Sequence, residues 1–147
     1  QAVASAQQSR AGIVWIEEML DNRSKIELYS HAGVFVCPSI YEPFGIINLE
    51  AMACGTAVVA SAVGGIPEVI RQCKTGYLVA VEQMAGSPFE PLDPEKFSRD
   101  LAARVNDLMA DPAKRAAFGK AGRQRALEVF SWSSIAAQTK ALYESLA

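Results

Sequence analysis

The residues best placed to do chemistry lie in one short stretch, Pro38-Ser39-Ile40-Tyr41-Glu42-Pro43-Phe44-Gly45-Ile46-Ile47-Asn48-Leu49-Glu50. A helix starting near Phe44 to Ile46 would present unpaired backbone N–H groups and the positive end of its dipole, which suit phosphate. Gly45 would let a ligand approach the backbone closely. Glu42, just ahead of that helix start, could accept hydrogen bonds from sugar hydroxyls. Glu50 lies further along: eight residues of helix span about 12 Å, so the two carboxylates are not expected to touch. A ligand with a sugar at one end, a diphosphate in the middle and a ribose at the other would use all three features. Carboxylates on ribose hydroxyls recur in dinucleotide-binding folds. Spacing alone leaves other readings open. Glu42 could simply favour a helix N-terminus, and Glu50 could sit on a solvated or salt-bridged helix face. A glycosidase pair would need carboxyl groups roughly 5 to 9.5 Å apart, which requires the loop to fold back.

The elements that must position this stretch are readable on either side of it. Val34-Phe35-Val36-Cys37 is a continuous apolar run that predicts a buried strand ahead of the loop. Leu49 to Ala53 predicts a helix that stops at Gly55, a C-cap type residue. Ile13–Ile16, Thr56–Ala60 and Tyr77–Ala80 predict three further strands, giving four in all. Gln1 to Gln8 reads as weakly helical, and Ile26, Leu28, Tyr29 and Ala32 form a loose helical face with Ser24 as candidate N-cap. Val63-Gly64-Gly65-Ile66-Pro67-Glu68 predicts a glycine-bearing loop and a helix to about Gln72. Residues 82–92 read as an irregular loop. Three helices follow, opened by Asp93-Pro94, Asp111-Pro112 and Ser131. Strands without alternation, each followed by a helix, predict an α/β fold, a partial Rossmann-like parallel sheet with helices on both faces and a C-terminal helical run. Ligands in such sheets bind beyond the carboxyl ends of the strands, where both glycine-bearing loops emerge.

Composition narrows the function. A net charge of −2 carries no electrostatic footprint for nucleic acid. No apolar run approaches the ~18 residues of a membrane span, and no signal peptide is evident. Cys37, Cys54 and Cys73 have neither CxxC spacing nor an even count, so they predict free thiols, buried or half-buried, in a reducing cytoplasm. His31 is the only histidine and reads as a packing or surface residue, leaving no Ser-His or Cys-His pair and no histidine-rich metal site. No metal and no cofactor is expected.

The run from Pro38 to Ser61 resembles the donor-binding signature of glycosyltransferase family 4, retaining enzymes of the GT-B fold. Gly64-Gly65-Ile66-Pro67-Glu68 and Phe130-Ser131-Trp132 extend the match, and Pro88 to Phe97 makes it most similar to bacterial glycogen synthases of actinobacterial type. The resemblance implies that Glu42 contacts the donor sugar near the reacting carbon and acts as the catalytic residue. It implies that Phe44, Gly45, Ile46 and Ile47 hold sugar hydroxyls and the diphosphate through backbone amides, and that Glu50 binds ribose. It further implies transfer of glucose from ADP-glucose to an α-1,4-glucan acceptor without a divalent metal. Mannosyl-, galactosyl- or maltosyl-transferring relatives are the alternatives within the chemistry. From another class, a non-catalytic nucleotide-binding module is the alternative; a phospho-receiver would need acids at the strand ends, which Val34–Cys37 and Thr56–Ala60 lack.

One departure from the family pattern is large. The family's basic pair lies on a glycine-arginine segment with a following lysine, and none precedes Ile13. The chain also opens within a helix, and His31 does not match the family's catalytic histidine. Residues 1–147 are therefore expected to be one truncated C-terminal donor-nucleotide-binding domain, with residues 1–92 as the sheet part and 93–147 as C-terminal helices, inactive alone. In the 3-2-1-4-5-6 order of doubly wound sheets, Ile13–Ile16 would be strand 3 and Val34–Cys37 strand 4, with the two between them missing. Either Ile13–Ile16 stays apart or the open strand edge finds a partner. With an apolar face near Trp132 and Ile135 also uncovered, self-association is expected.

Overall fold

A computed structural model describes residues 2–146. Three parallel strands, β1 (Val34–Cys37), β2 (Ala57–Ser61) and β3 (Gly76–Val79), form a sheet in the order β1-β2-β3. Val34 is in register with Ala57 and Val58 with Gly76. Around them run α1 (Ala2–Ser9), α2 (Asn22–His31), α3 (Ile46–Ala53), α4 (Ile66–Val69), α5 (Pro94–Ala110), α6 (Pro112–Val129) and α7 (Trp132–Leu146).

The central strand explains why the sheet is covered on both faces. Every residue of β2 is buried, so its alternating side chains feed two cores. Val58 and Ala60 pack with Met52, Ile66, Val69 and Ala126 on one face. Ala57 and Val59 pack with Tyr77, Leu108 and Phe118 on the other. Helix α3 thereby lies on one face and α5 on the other, which fixes α3 directly after the carboxyl end of β1. Asp93 and Asp111 cap α5 and α6 by accepting the Lys96 and Lys114 N–H groups at 2.8 and 2.9 Å, and Pro94 and Pro112 start those helices.

Several expectations are corrected. Among the described residues the sheet has three strands, because Ile13–Ile16 is irregular and exposed, from 37% at Ile13 to 82% at Val14. A strand needs a neighbour for its backbone groups, and no described segment pairs with Ile13–Ile16, so its β-branched composition is not enough. Among the described residues β1 lies at an edge of the sheet, and Trp132 is exposed. Asp21, not Ser24, caps α2, accepting the Ser24 N–H at 2.7 Å. Helix α4 ends at Val69 instead of Gln72, since Ile70 is extended and Thr75 Oγ1 takes the Arg71 N–H at 2.9 Å. Cys37 is buried and Cys54 half-buried, but Cys73 is exposed, in a turn with a φ of 58°. No described helix is long and apolar enough to cross a membrane.

Candidate functional site

The loop between β1 and α3 is built by a local exchange of hydrogen bonds. Glu42 Oε1 accepts the Gly45 N–H at 3.1 Å. Gly45 then takes a left-handed conformation, φ 100° and ψ 42°, as N-cap of α3, which glycine adopts without penalty. The Gly45 carbonyl accepts from Asn48 N at 3.0 Å and from Leu49 N at 3.4 Å. The N–H groups of Ile46 and Ile47 are left with no acceptor among the described residues. Both residues are exposed, at 63% and 41%. Two free amides at the positive end of an eight-residue helix make an anion cradle open to solvent.

The second glycine-bearing loop, after β2, interlocks with the first. Gly65 N–H donates to the Glu42 carbonyl at 3.1 Å. A Cβ on Gly65 would lie 2.5 Å from the Pro43 oxygen and 2.7 Å from Phe44 Cα, so only glycine allows this approach. The loops are tied at their strand ends too: Ser61 Oγ donates to the carbonyl of Ser39 at 2.5 Å. From the loop after β3, Gln83 Nε2 donates to the Ile40 carbonyl at 2.5 Å, and Phe89 stacks on Tyr41 with ring centroids 5.5 Å apart. All three strand ends thus converge on the backbone around Glu42.

The C-terminal helices brace the same loop. Phe44 meets Phe130 edge-on at 6.0 Å. Arg125 lies over the Phe130 ring, 5.2 Å from its centroid, and donates to the Val69 and Glu68 carbonyls at 2.8 Å each. Burial, with the neighbouring Arg71 charge, pulls the Arg125 guanidinium below its ordinary value. The Phe-Ser-Trp run at 130–132 therefore bears on the site through Phe130, while Trp132 is 89% exposed.

Glu50 lines a groove of about 560 Å³ between α2 and α3, with Asn22, Lys25, Tyr29, Cys54 and Arg123 among others. Its Oε1 receives Lys25 Nζ at 2.8 Å and its Oε2 the Tyr29 hydroxyl at 3.2 Å. Burial first, then the Glu50 charge, push the Tyr29 phenol up to about 12. The two acids thus engage separate partners. Phe44, Gly45, Ile46 and Ile47 sit together at the start of α3 beside Glu42, and Glu50 lies on the same helix face as Ile47, one turn on.

Sequence reasoning missed Lys25 and Tyr29, although their spacing on α2 puts both on one face. It also missed Asn48, fully buried under Gly45 with neither side-chain amide atom hydrogen-bonded among the described residues. His31 is exposed at the end of α2, its Nδ1 2.8 Å from the Glu27 carbonyl. No group of three or more His, Cys, Asp or Glu is placed to hold a metal ion among the described residues.

Comparison with known proteins gives this geometry a family. The profile described as "Glycosyl transferases group 1" matches residues 4–87. The chain is 49% identical over 145 residues to alpha-maltose-1-phosphate synthase of Mycolicibacterium smegmatis, covering 99% of this chain and 35% of that protein. It is 36% identical over 124 residues to glycogen synthase of Mycobacterium tuberculosis, covering 84% and 27%. Among solved structures, sucrose-phosphate synthase from Thermosynechococcus elongatus superposes with a TM-score of 0.77 at 37% identity, over 98% of this chain and 33% of that one. Anabaena HepE in complex with UDP gives 0.66 at 27% identity, over 81% and 29%. The chain spans about a third of the length of the curated relatives it matches, 35% of the maltose-1-phosphate synthase and 27% of the glycogen synthase. Its parallel sheet with flanking helices is that of GT-B glycosyltransferase domains, and the chain belongs to the glycosyl transferases group 1 family.

Proposed function

We propose that this chain is the donor-binding part of a retaining family 4 glycosyltransferase that transfers glucose from ADP-glucose. The observation that carries this reading is the pair of free amides at Ile46 and Ile47, flanked by Glu42 on one side and Glu50 on the other. A nucleoside diphosphate sugar has the matching order of groups: hexose at Glu42, diphosphate on the amides beside Phe44 and Gly45, ribose at Glu50.

The chemistry follows from where charge develops. As the bond from the sugar's anomeric carbon to the β-phosphate oxygen breaks, its electron pair goes to the diphosphate. Negative charge then grows in front of the Ile46 and Ile47 N–H groups and the α3 dipole, which are fixed before reaction. Glu42 accepts from hydroxyls of the hexose and supplies negative charge near the carbon that becomes cationic. The acceptor hydroxyl passes its proton to the departing β-phosphate oxygen and bonds to the face the diphosphate left, so the anomeric configuration is retained.

For the acceptor, the higher identity to alpha-maltose-1-phosphate synthase, 49% against 36% for glycogen synthase, favours glucose 1-phosphate, giving maltose 1-phosphate. The glycogen-synthase expectation becomes the second reading, with an α-1,4-glucan acceptor. The test is to incubate the full-length protein with ADP-glucose and either glucose 1-phosphate or glycogen, following ADP release and product. Maltose 1-phosphate is the expected product; extension of glycogen alone selects the second reading; no ADP release with either acceptor refutes both. Glu42→Gln should lower kcat about 100-fold or more. Glu50→Ala should raise the donor KM about 10- to 100-fold with a smaller effect on kcat.

A further inference from the structure

We infer that Lys25 and Tyr29 of α2 are positioning residues for the donor, a two-point clamp that fixes the Glu50 carboxylate for ribose. The inference rests on the reading that Glu50 meets the ribose hydroxyls.

Lys25 and Tyr29 are one helical turn apart, so both side chains leave the same face of α2 and reach across to α3. They divide Glu50 between them: the ammonium takes Oε1 at 2.8 Å and the phenol takes Oε2 at 3.2 Å. A glutamate gripped at both oxygens from one side has a single rotamer. A carboxylate offers about four lone-pair sites. Two are used by the clamp, which leaves one on each oxygen to accept from two ribose hydroxyls. Lys25 and Glu50 are about one-third exposed, at 33% and 32%, so the carboxylate is held within the groove wall yet stays open to a ligand.

The chemistry of each grip serves the same end. The ammonium holds Oε1 through a charge-assisted hydrogen bond. The raised phenol keeps its proton at neutral pH, so Tyr29 donates to Glu50 and does not compete with it. Tyr29 is itself held: its ring meets Phe35 edge-on at 5.3 Å and its carbonyl accepts the Thr56 hydroxyl at 2.5 Å. Those two anchors run into β1 and the residue just before β2, so Tyr29 is referenced to the sheet.

The test uses the full-length protein with ADP-glucose and the acceptor it turns over. Tyr29→Phe keeps the ring contact with Phe35 and removes only the hydroxyl, Lys25→Met removes the charge, and Lys25→Arg restores it. Tyr29→Phe and Lys25→Met should each raise the donor KM about fivefold to tenfold with kcat changed less than about twofold, and Lys25→Arg should recover most of the loss. In ultraviolet difference titration, Glu50→Gln should bring the Tyr29 phenol down from about 12, a shift Tyr29→Phe abolishes. If Glu50→Gln raises the donor KM while Tyr29→Phe and Lys25→Met leave it unchanged, the clamp is refuted and the ribose reading stands. If Glu50→Gln leaves the donor KM unchanged, the ribose reading falls and the clamp with it. Lowered unfolding midpoints with unchanged KM would make the contacts structural only and overturn the inference.

Discussion

Replacing Gly65 by alanine tests whether the two strand-end loops form one rigid cradle. Gly65 has φ −84° and ψ −4°, a conformation open to alanine, so any cost must come from contact. The added Cβ would stand 2.5 Å from the Pro43 oxygen and 2.7 Å from Phe44 Cα, both backbone atoms that no rotamer change can move. Ordinary contact begins at 3.4 Å, so the loops must separate by about 0.9 Å, the difference from 2.5 Å. That stretches the Gly65 N–H to Glu42 carbonyl bond from 3.1 Å to about 4 Å, past hydrogen-bond range. Overpacking of about 1–3 kcal/mol and a lost hydrogen bond of about 1 kcal/mol give a destabilisation of about 2–4 kcal/mol. The loop that carries Glu42 and the start of α3 is displaced from the Gly65 loop by the same distance, and a displacement of that size costs about 100-fold in kcat/KM. Urea unfolding and steady-state kinetics of the full-length protein read the two effects. Gly86→Ala is the control, since nothing lies within 4 Å of its Cβ, and should change stability by less than about 1 kcal/mol. If Gly65→Ala matches Gly86→Ala in both assays, the interlocked-loop account is wrong.

Asn48→Leu should stabilise the protein by about 1 kcal/mol, because a fully buried amide with neither atom bonded among the described residues gives way to an apolar group of similar size. A loss of stability in urea would show that the amide is satisfied in solution. On the opposite face of the sheet, the Tyr77 hydroxyl donates to Asp107 Oδ2 at 2.6 Å and Lys114 Nζ lies 3.0 Å from both Asp107 oxygens. The Tyr77 bond, then Lys114, hold the Asp107 carboxyl below its usual 3.8. Their contribution to stability is present above that value and is lost as pH falls through the lower folded one. The same bond raises the Tyr77 phenol, so its contribution is intact below 10.0 and is lost as pH rises past it. Tyr77→Phe should therefore move the acid-unfolding midpoint to higher pH and remove an alkaline step; an unchanged acid midpoint contradicts the assignment.

The sheet and the start of α3 were legible because their signals are local. An apolar run such as Val34–Cys37, bounded by Gly33 and Pro38, has few other solutions in a chain of this composition, and Glu42 with Gly45 marks a helix start within a few residues. Ile13–Ile16 has the same β-branched character but lacks a neighbouring strand among the described residues, and pairing is a property of distant segments that its own residues do not carry. Asp21 and Ser24 are both capping types, and only the backbone path decided between them. The surroundings of Glu50 were hidden for a related reason: Lys25 and Tyr29 lie 25 and 21 positions away in the chain. Their meeting depends on how α2 packs on α3. The gathering of Ile40, Tyr41, Gln83 and Phe89 over the site likewise depends on a return loop whose irregular sequence carries no period. Cys73 shows the limit of composition, since a thiol type usually buried is exposed here by a left-handed turn.

The most direct test of the central claim is an experimental structure of the full-length protein with ADP bound. The account predicts diphosphate oxygens about 3 Å from the Ile46 and Ile47 nitrogens, and ribose hydroxyls on Glu50 with Lys25 and Tyr29 still in place behind it. ADP seated elsewhere, with both amides facing water and Glu50 untouched, would contradict it.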